Sequence, residues 1–384
     1  MNRRVYLDNN ASTRVEPAAV EAMLPYFGQT YGNASSIHEQ GQRARSGVEN
    51  ARRQAADLLG ADSDEIVFTC GGTEADNAAI FGVAESFGRP GSHLITSKIE
   101  HPAVLRACEA LEKRGHRVTY VDVDSDGVVR LEQIQESISD ETALVSVMYV
   151  NNEIGSIQPV GEISEIARRQ GVLFHTDAVQ AAGKIPVDLQ QEGVDLLSIS
   201  AHKFHGPKGV GALFLRSGVE TAPFMVGGSH ERKRRAGTEN VPGIVGMGKA
   251  CELAAQHLED FGTRIGALRD RLEQEVLERI PGTVLNGRGA KRAPHVSNIS
   301  FPGLRGEALL VALDFRGVAV STGAACSSGA VSASHVLTAM GLDDRVIDSA
   351  IRFSISRMTT EEDIEYVLEI LPEVIGRMRE MAIA

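Results

Sequence analysis

The chain reads as an α/β protein: a large domain with a mostly parallel, helix-covered sheet, plus a smaller α+β domain. Three observations carry that expectation. From residue 65 onward, short apolar runs of strand length alternate with helix-like segments, the order that builds parallel sheets. The runs are apolar at successive positions, as in strands covered on both faces. A length of 384 residues, at roughly 150 per domain, suits two domains.

In chain order, strands are expected at 66–69, 93–97, 118–123, 143–150, 172–176 and 196–200, with helices at 75–87, 102–114, 131–138 and 162–169. A second region opens near Gly262 with an amphipathic helix over 264–280, which Pro281-Gly282 stops. Strands at 296–301 and 318–321 follow, and a closing helix begins at Thr360. The expected division assigns 13–260 to the large domain and 1–12 with 261–384 to the small one.

Composition removes several classes of function. Hydrophobic residues make up 42% and charged residues 23%, which suits a globular protein and neither a disordered chain nor a coiled coil. With 39 Lys+Arg against 51 Asp+Glu, the net charge is −12, the wrong sign for a nucleic-acid binder. The four cysteines, Cys70, Cys108, Cys251 and Cys326, are scattered. They point to a reducing, cytoplasmic setting and to no zinc or dithiol motif. The N-terminus has no apolar core, and the run at 143–150 falls far short of the ~20 residues of a membrane span.

The segment Ser200-Ala-His202-Lys203 follows a buried strand, and strand carboxyl ends are where α/β sheets place ligands. Lys203 has two readings: a lysine snorkelling at a strand end, or an amine desolvated so that it can condense with an aldehyde. Upstream, Asp177 also ends an apolar run. It could cap a helix, yet pyridoxal phosphate needs such a pair: a lysine for its aldehyde and a carboxylate for its ring nitrogen. Cys70-Gly71-Gly72-Thr73 lies between a strand and a helix. That turn suits a phosphate, which helix-start N–H groups bind, or is an ordinary turn capped by Thr73.

With these blocks in place, the sequence resembles the cysteine desulfurases of the NifS/IscS type (group I), pyridoxal-phosphate enzymes of the fold type I aminotransferase superfamily. The resemblance runs nearly end to end, through Leu7-Asp-Asn-Asn-Ala-Ser-Thr13, Gly32 to His38, Gly72-Thr-Glu-Ala-Asp-Asn77, Glu100-His101, Asn151 to Gly155, His175-Thr-Asp-Ala-Val-Gln180, Ser200 to Lys203, Arg235 to Asn240, Gly323 to Gly329 and Ile351 to Ser354. It implies that Lys203 carries the cofactor, Asp177 holds the pyridine nitrogen and Gln180 hydrogen-bonds the phenolic oxygen. It further implies that His101 stacks on the ring and moves protons, and that Gly72, Thr73, Ser200 and His202 bind the phosphate. Thr238 would reach the phosphate of a neighbouring subunit, which implies a homodimer. Asn152 and Arg352 would take the substrate carboxylate, Arg352 through its planar fork.

Cys326 has a physical argument of its own. Residues 321–334 contain no charge, no aromatic and no Leu, Ile or Met, so the sequence predicts a mobile surface loop with an accessible thiol. The resemblance makes that thiol the nucleophile, taking sulfur from L-cysteine as a persulfide, releasing L-alanine and passing the sulfur to an acceptor protein. Cys70, Cys108 and Cys251 read as core residues, and His38, His205 and His230 as structural histidines or lining of the cleft. The run Glu231-Arg232-Lys233-Arg234-Arg235 reads as a solvated face, part of which could shape the phosphate or dimer surface. Ala34, Ala325 and Val331-Ser332-Ala333 depart from the family pattern. An aminotransferase, a selenocysteine lyase and a sulfur-relay scaffold are the rival readings.

Overall fold

The computed structural model describes residues 3–87, 91–322 and 333–383. Its centre is a seven-stranded sheet with the order β2-β8-β7-β6-β5-β3-β4. The strands are β2 (Ile66–Thr69), β3 (His93–Ser97), β4 (Arg117–Val121), β5 (Thr142–Ser146), β6 (Leu173–Asp177), β7 (Leu196–Ser200) and β8 (Gly211–Leu215). Strands β4, β3, β5, β6 and β7 run parallel, while β8 is antiparallel to both β7 and β2.

The apolar runs are continuous because the sheet is covered twice. Ile95, Val145, Leu197, Phe214 and Phe68 face one apolar core, whereas their chain neighbours Leu94, Leu144, Leu196, Leu213 and Val67 face another. Successive side chains point to opposite faces, so both must be apolar. The covering helices include α1 (Glu39–Leu59), α2 (Gly72–Ser86), α3 (Pro102–Glu112), α4 (Val160–Arg169) and α5 (Val241–Gln256). Helix α1 stops at Gly60, whose φ of 66° suits a residue without Cβ. Helices α1 and α5 approach closely, since a Cβ on Gly248 would lie 2.5 Å from the Ala51 Cα.

A third apolar core joins Val5 and Leu7 to residues from Phe261 onward. It is built on α6 (Gly266–Arg279), α7 (Gly306–Phe315), α8 (Glu361–Ile383) and two small sheets. One is an antiparallel sheet of β9 (Val284–Leu285), β10 (Val296–Ser300) and β12 (Ala350–Ser354). The other pairs β1 (Val5–Tyr6) with β11 (Val318–Ala319) in parallel.

The α/β class is as the sequence predicts, and several elements differ. Strand β8 was not expected, being five residues packed directly behind the turn that follows Lys203. Residues 147–150 stay buried but leave the sheet for the turn that carries Asn151 and Asn152. Helices α1 and α5 were also not expected; their buried faces are largely Gly and Ala, residues that carry little apolar mass.

Candidate active site

Parallel strands align their carboxyl ends, and the site lies across those of β5, β6 and β7. Lys203 closes a single 3₁₀ turn, Ala201–Lys203, directly after β7. The turn is tight: a Cβ on Gly206 would lie 2.7 Å from that of Ala201. The Lys203 amine donates to the backbone carbonyls of Asn10 and, at 3.1 Å, Ala11. Burial and the nearby Arg352 charge pull this amine down to about 8, while Asp177 and Asp8 oppose them. A lysine so placed is largely neutral at mildly alkaline pH, as a nucleophilic amine must be.

Asp177 ends β6 and is buried, with Oδ1 accepting from the Val179 N–H at 2.9 Å. Burial pushes its carboxyl up to about 6 against the pull of that N–H and of Lys203. Two further carboxylates lie buried in the same field. Glu100 accepts from Ser97 Oγ at 2.5 Å and from the Met148 N–H at 3.0 Å, and burial raises it to about 8. Asp76, on α2, is raised well above the usual carboxylate range by burial and by Asp177. Its Oδ1 makes no hydrogen bond. His175 stands 3.7 Å from that oxygen, but burial pushes its imidazole down to about 3, so it is neutral and forms no ion pair with Asp76.

His101 caps α3, its Nδ1 accepting from the Ala103 N–H at 3.1 Å. Burial and the charges of Lys203 and His335 lower it to about 4, which leaves a neutral ring. Gln180 is buried, with Nε2 donating to the Asn10 carbonyl at 3.1 Å.

The turn after β2 is held from its side. The Cys70 N–H donates to Glu74 at 2.8 Å, and Glu74 in turn takes the Arg235 guanidinium at 2.8 Å. Helix α2 opens at Gly72, where a Cβ would lie 2.8 Å from Val179 and 3.4 Å from Ser200 Cβ. The turn, the start of α2 and Ser200 therefore face one another. Thr73 lies exposed at the helix start, and His202 reaches Ser12 Oγ at 3.3 Å.

Arg352, at the middle of β12, is buried and donates to the Asn152 carbonyl at 3.0 Å and to Asp8 at 2.8 Å. Its Nε has no partner. The backbone beside it pairs with Ser321, and Ser334 donates to Glu153, next to Asn152, at 2.5 Å. Cys326 lies outside the described residues, between these two anchors.

Eight expected residues thus collect around the strand ends: Gly72, Thr73, His101, Asp177, Gln180, Ser200, His202 and Lys203. Arg352 and Asn152 adjoin them, while Thr238 is exposed on the segment beyond Arg235. Cys70 is a correction: it is exposed rather than a core residue, because the turn points it away from β2. Cys108 and Cys251 are buried. His38 caps α1 and His205 bonds the Arg14 carbonyl at 2.8 Å. The basic run is not one solvated face either. Glu231 is buried in a bidentate pair with Arg52, both contacts at 2.8 Å, on a stretch whose Arg232 and Lys233 hold φ of 56° and 67°. Sequence reasoning also passed over Asp76 and Glu100, which stand in quoted motif blocks but whose burial no spacing announces.

The residues present fit pyridoxal phosphate. An amine of lowered pKa meets its aldehyde, a buried carboxylate cluster suits a protonated ring nitrogen, and a helix start suits the phosphate. The Asp76 Oδ1 has no hydrogen-bond partner among the described residues. Among the described residues, no cluster of metal-ligating side chains occurs.

The comparisons agree on kinship. Residues 5–367 match the family model "Aminotransferase class-V". The chain is 49% identical over 381 residues to "Cysteine desulfurase IscS" of Methanosarcina thermophila, covering 99% of this chain and 94% of the relative. It is 50% identical over 381 residues to "Cysteine desulfurase" of Gluconacetobacter diazotrophicus, covering 98% and 95%. Among solved structures, a "NIFS-LIKE PROTEIN" superposes with a TM-score of 0.92 at 40% identity over 98% of this chain and 100% of that one. The structure titled "SspA in complex with cysteine" gives 0.81 at 34% identity over 91% and 98%.

Proposed function

This chain belongs to the class-V aminotransferases and, within them, to the cysteine desulfurases, and on that premise we propose the division of labour among its residues. The reaction removes sulfur from L-cysteine and leaves L-alanine; the cofactor is pyridoxal phosphate. Bound, that cofactor supplies an electron sink for the substrate's α-carbon. Lys203 holds it and, with an amine near 8, carries the proton to and from the substrate's Cα. Asp177 holds the proton on the ring nitrogen, and Gln180 donates to the phenolic oxygen. Neutral His101 stacks on the ring and relays protons through Nε2. Gly72, Thr73, Ser200 and His202 hold the phosphate. Arg352 and Asn152 orient the substrate by its carboxylate.

Cys326 Sγ, as thiolate, attacks the substrate sulfur. The electron pair of the Cβ–S bond stays on carbon, which a proton then quenches, and a persulfide remains on Cys326. An acceptor protein takes that sulfur onward. Thiolate and persulfide chemistry suits a reducing setting such as the cytoplasm. Among the described residues no helix is long and apolar enough to cross a membrane.

A second copy of the chain completes the site through Thr238. Its exposure supports this, as do the exposed apolar side chains at Phe27 (66%), Tyr31 (72%), Ile37 (94%) and Val226 (85%). The division into 13–260 against 1–12 with 261–384 is supported by the separate core that unites Val5 and Leu7 with residues from Phe261 onward.

The observation that carries the reading is the pairing of a partly neutral Lys203 amine with buried Asp177 at the ends of adjacent strands. Its test is the variant Cys326→Ala, mixed with L-cysteine. The variant should keep the near-visible absorbance of the bound cofactor yet release no sulfide; sulfide release at the unaltered rate removes Cys326 from the reaction. A protein that accepts selenocysteine and rejects L-cysteine would be a selenocysteine lyase.

A further inference from the structure

Lys184, on the turn that leaves β6, is only 4% exposed. Its amine donates to Gln180 Oε1 at 2.5 Å. The other edge of the same carboxamide donates from Nε2 to the Asn10 carbonyl at 3.1 Å. These two contacts together set the orientation of the amide: the Asn10 carbonyl can only accept, which places Nε2 on it, and Oε1 is left to accept from the lysine. The Asn10 carbonyl also accepts from Lys203 Nζ, so the NH₂ edge of Gln180 is turned to the cofactor lysine.

The surroundings of Lys184 offer no ion pair. Lys203 and Arg352 are the charges that face it, and His202, His205 and His295 are the other titratable neighbours. Among the described residues no carboxylate lies within ion-pair reach of it. Burial and the two cations press the amine well below the usual lysine range. A buried amine is costlier than an apolar side chain of the same length, so its one directed contact, to Gln180, is what it contributes.

We propose that Lys184 is a positioning residue that, acting through Gln180, keeps a hydrogen-bond donor and never an acceptor turned toward the phenolic oxygen of the cofactor. This rests on the reading of Gln180 given above. Without Lys184, only the Asn10 carbonyl, which Lys203 also satisfies, still selects the orientation of the carboxamide, and an amide oxygen can then turn to face the phenolic oxygen.

The test follows the near-visible band of the holoenzyme against pH. When the lysine-bound nitrogen loses its proton, the phenolic oxygen keeps a whole negative charge and leans on its donor. Loss of that donor therefore raises the midpoint, by about one pH unit for one hydrogen bond to a charged group. Lys184→Met should raise the midpoint in the wild-type background and add nothing in a Gln180→Leu background. Lys184→Gln, which keeps a donor toward Oε1, should titrate like the wild type. Should Lys184→Met fail to fold, Lys184→Ala carries the same expectation. An equal rise in both backgrounds overturns the proposal, since Lys184 would then act through its field alone. So does an unmoved midpoint in Lys184→Met while Gln180→Leu shifts, an outcome that leaves the role of Gln180 standing. A midpoint unmoved in Gln180→Leu removes Gln180 from the phenolic oxygen and takes the proposal with it.

Discussion

The two walls of the cleft carry opposite charge problems. On the side of β3, β6 and α2, three buried carboxylates gather, Asp76, Glu100 and Asp177, with His101 and His175 driven neutral. On the side of the N-terminal segment and β12, the amines of Lys203 and Lys184 and the guanidinium of Arg352 gather, with His205 and His295 driven neutral. Burial pushes the carboxyls up and the amines down, and like charges add to it at Asp76, Glu100, Lys184 and Lys203. A ligand that brings a cationic ring nitrogen to the first wall, and a phenolic oxygen and a carboxylate to the second, relieves both. Opposite displacement of titratable groups across one cleft is what an acid–base catalytic site needs.

The comparison breaks most completely at Lys203. Lys203→Ala should lose the near-visible absorbance and at least about 10³-fold of the activity; retained absorbance would mean that another lysine holds the cofactor. On the facing wall, Asp177→Asn keeps the shape and removes the charge proposed to hold the ring-nitrogen proton. Activity should fall on the order of 10²–10³-fold while the bound absorbance persists. A smaller loss would pass the task to Asp76.

The pH dependence of cofactor loading sharpens the contrast. Only the free amine of Lys203 condenses with an aldehyde, so the loading rate of apoprotein should rise with pH to a midpoint near 8, below that of an ordinary lysine. Arg352→Gln removes the cation that helps depress this amine, so the midpoint should move upward. A midpoint near that of an ordinary lysine in the wild type would show that burial does not act on Lys203.

Much of this site was legible because its chemistry needs particular residues at strand ends. Lys203 and Asp177 each close an apolar run, and the glycines of 70–73 open a helix. The alternating strands and helices were legible for a related reason, since both faces of the sheet are buried and each strand is written as an unbroken apolar run. What escaped notice depends on contacts between distant segments. Helix α1 buries Gly41, Ala44, Gly47, Ala51 and Ala55, small residues chosen for close packing rather than apolar mass. Strand β8 becomes a strand through β2 and β7 on either side. Asp76, Glu100 and Lys184 look like surface charges until the fold buries them, and Glu231 looked so until it met Arg52 across 179 residues.

The smallest expected effect isolates the acid wall without touching the cofactor. In the folded chain Glu100 holds its proton up to about 8, against 4.5 for an ordinary glutamate. The folded state therefore keeps a proton that the unfolded chain gives up. The stability that this proton confers is full below the unfolded value and is lost as pH rises toward the folded one. Glu100→Gln keeps an Oε1 that can accept from both Ser97 Oγ and the Met148 N–H but cannot ionise. Melted as apoprotein at about pH 5.5 and about pH 8, the wild type should lose more thermal stability between the two than Glu100→Gln does. A loss of the same size in both proteins would pass the pH dependence to the other carboxyls displaced in the same direction, Asp76, Asp177, Glu192 and Asp195.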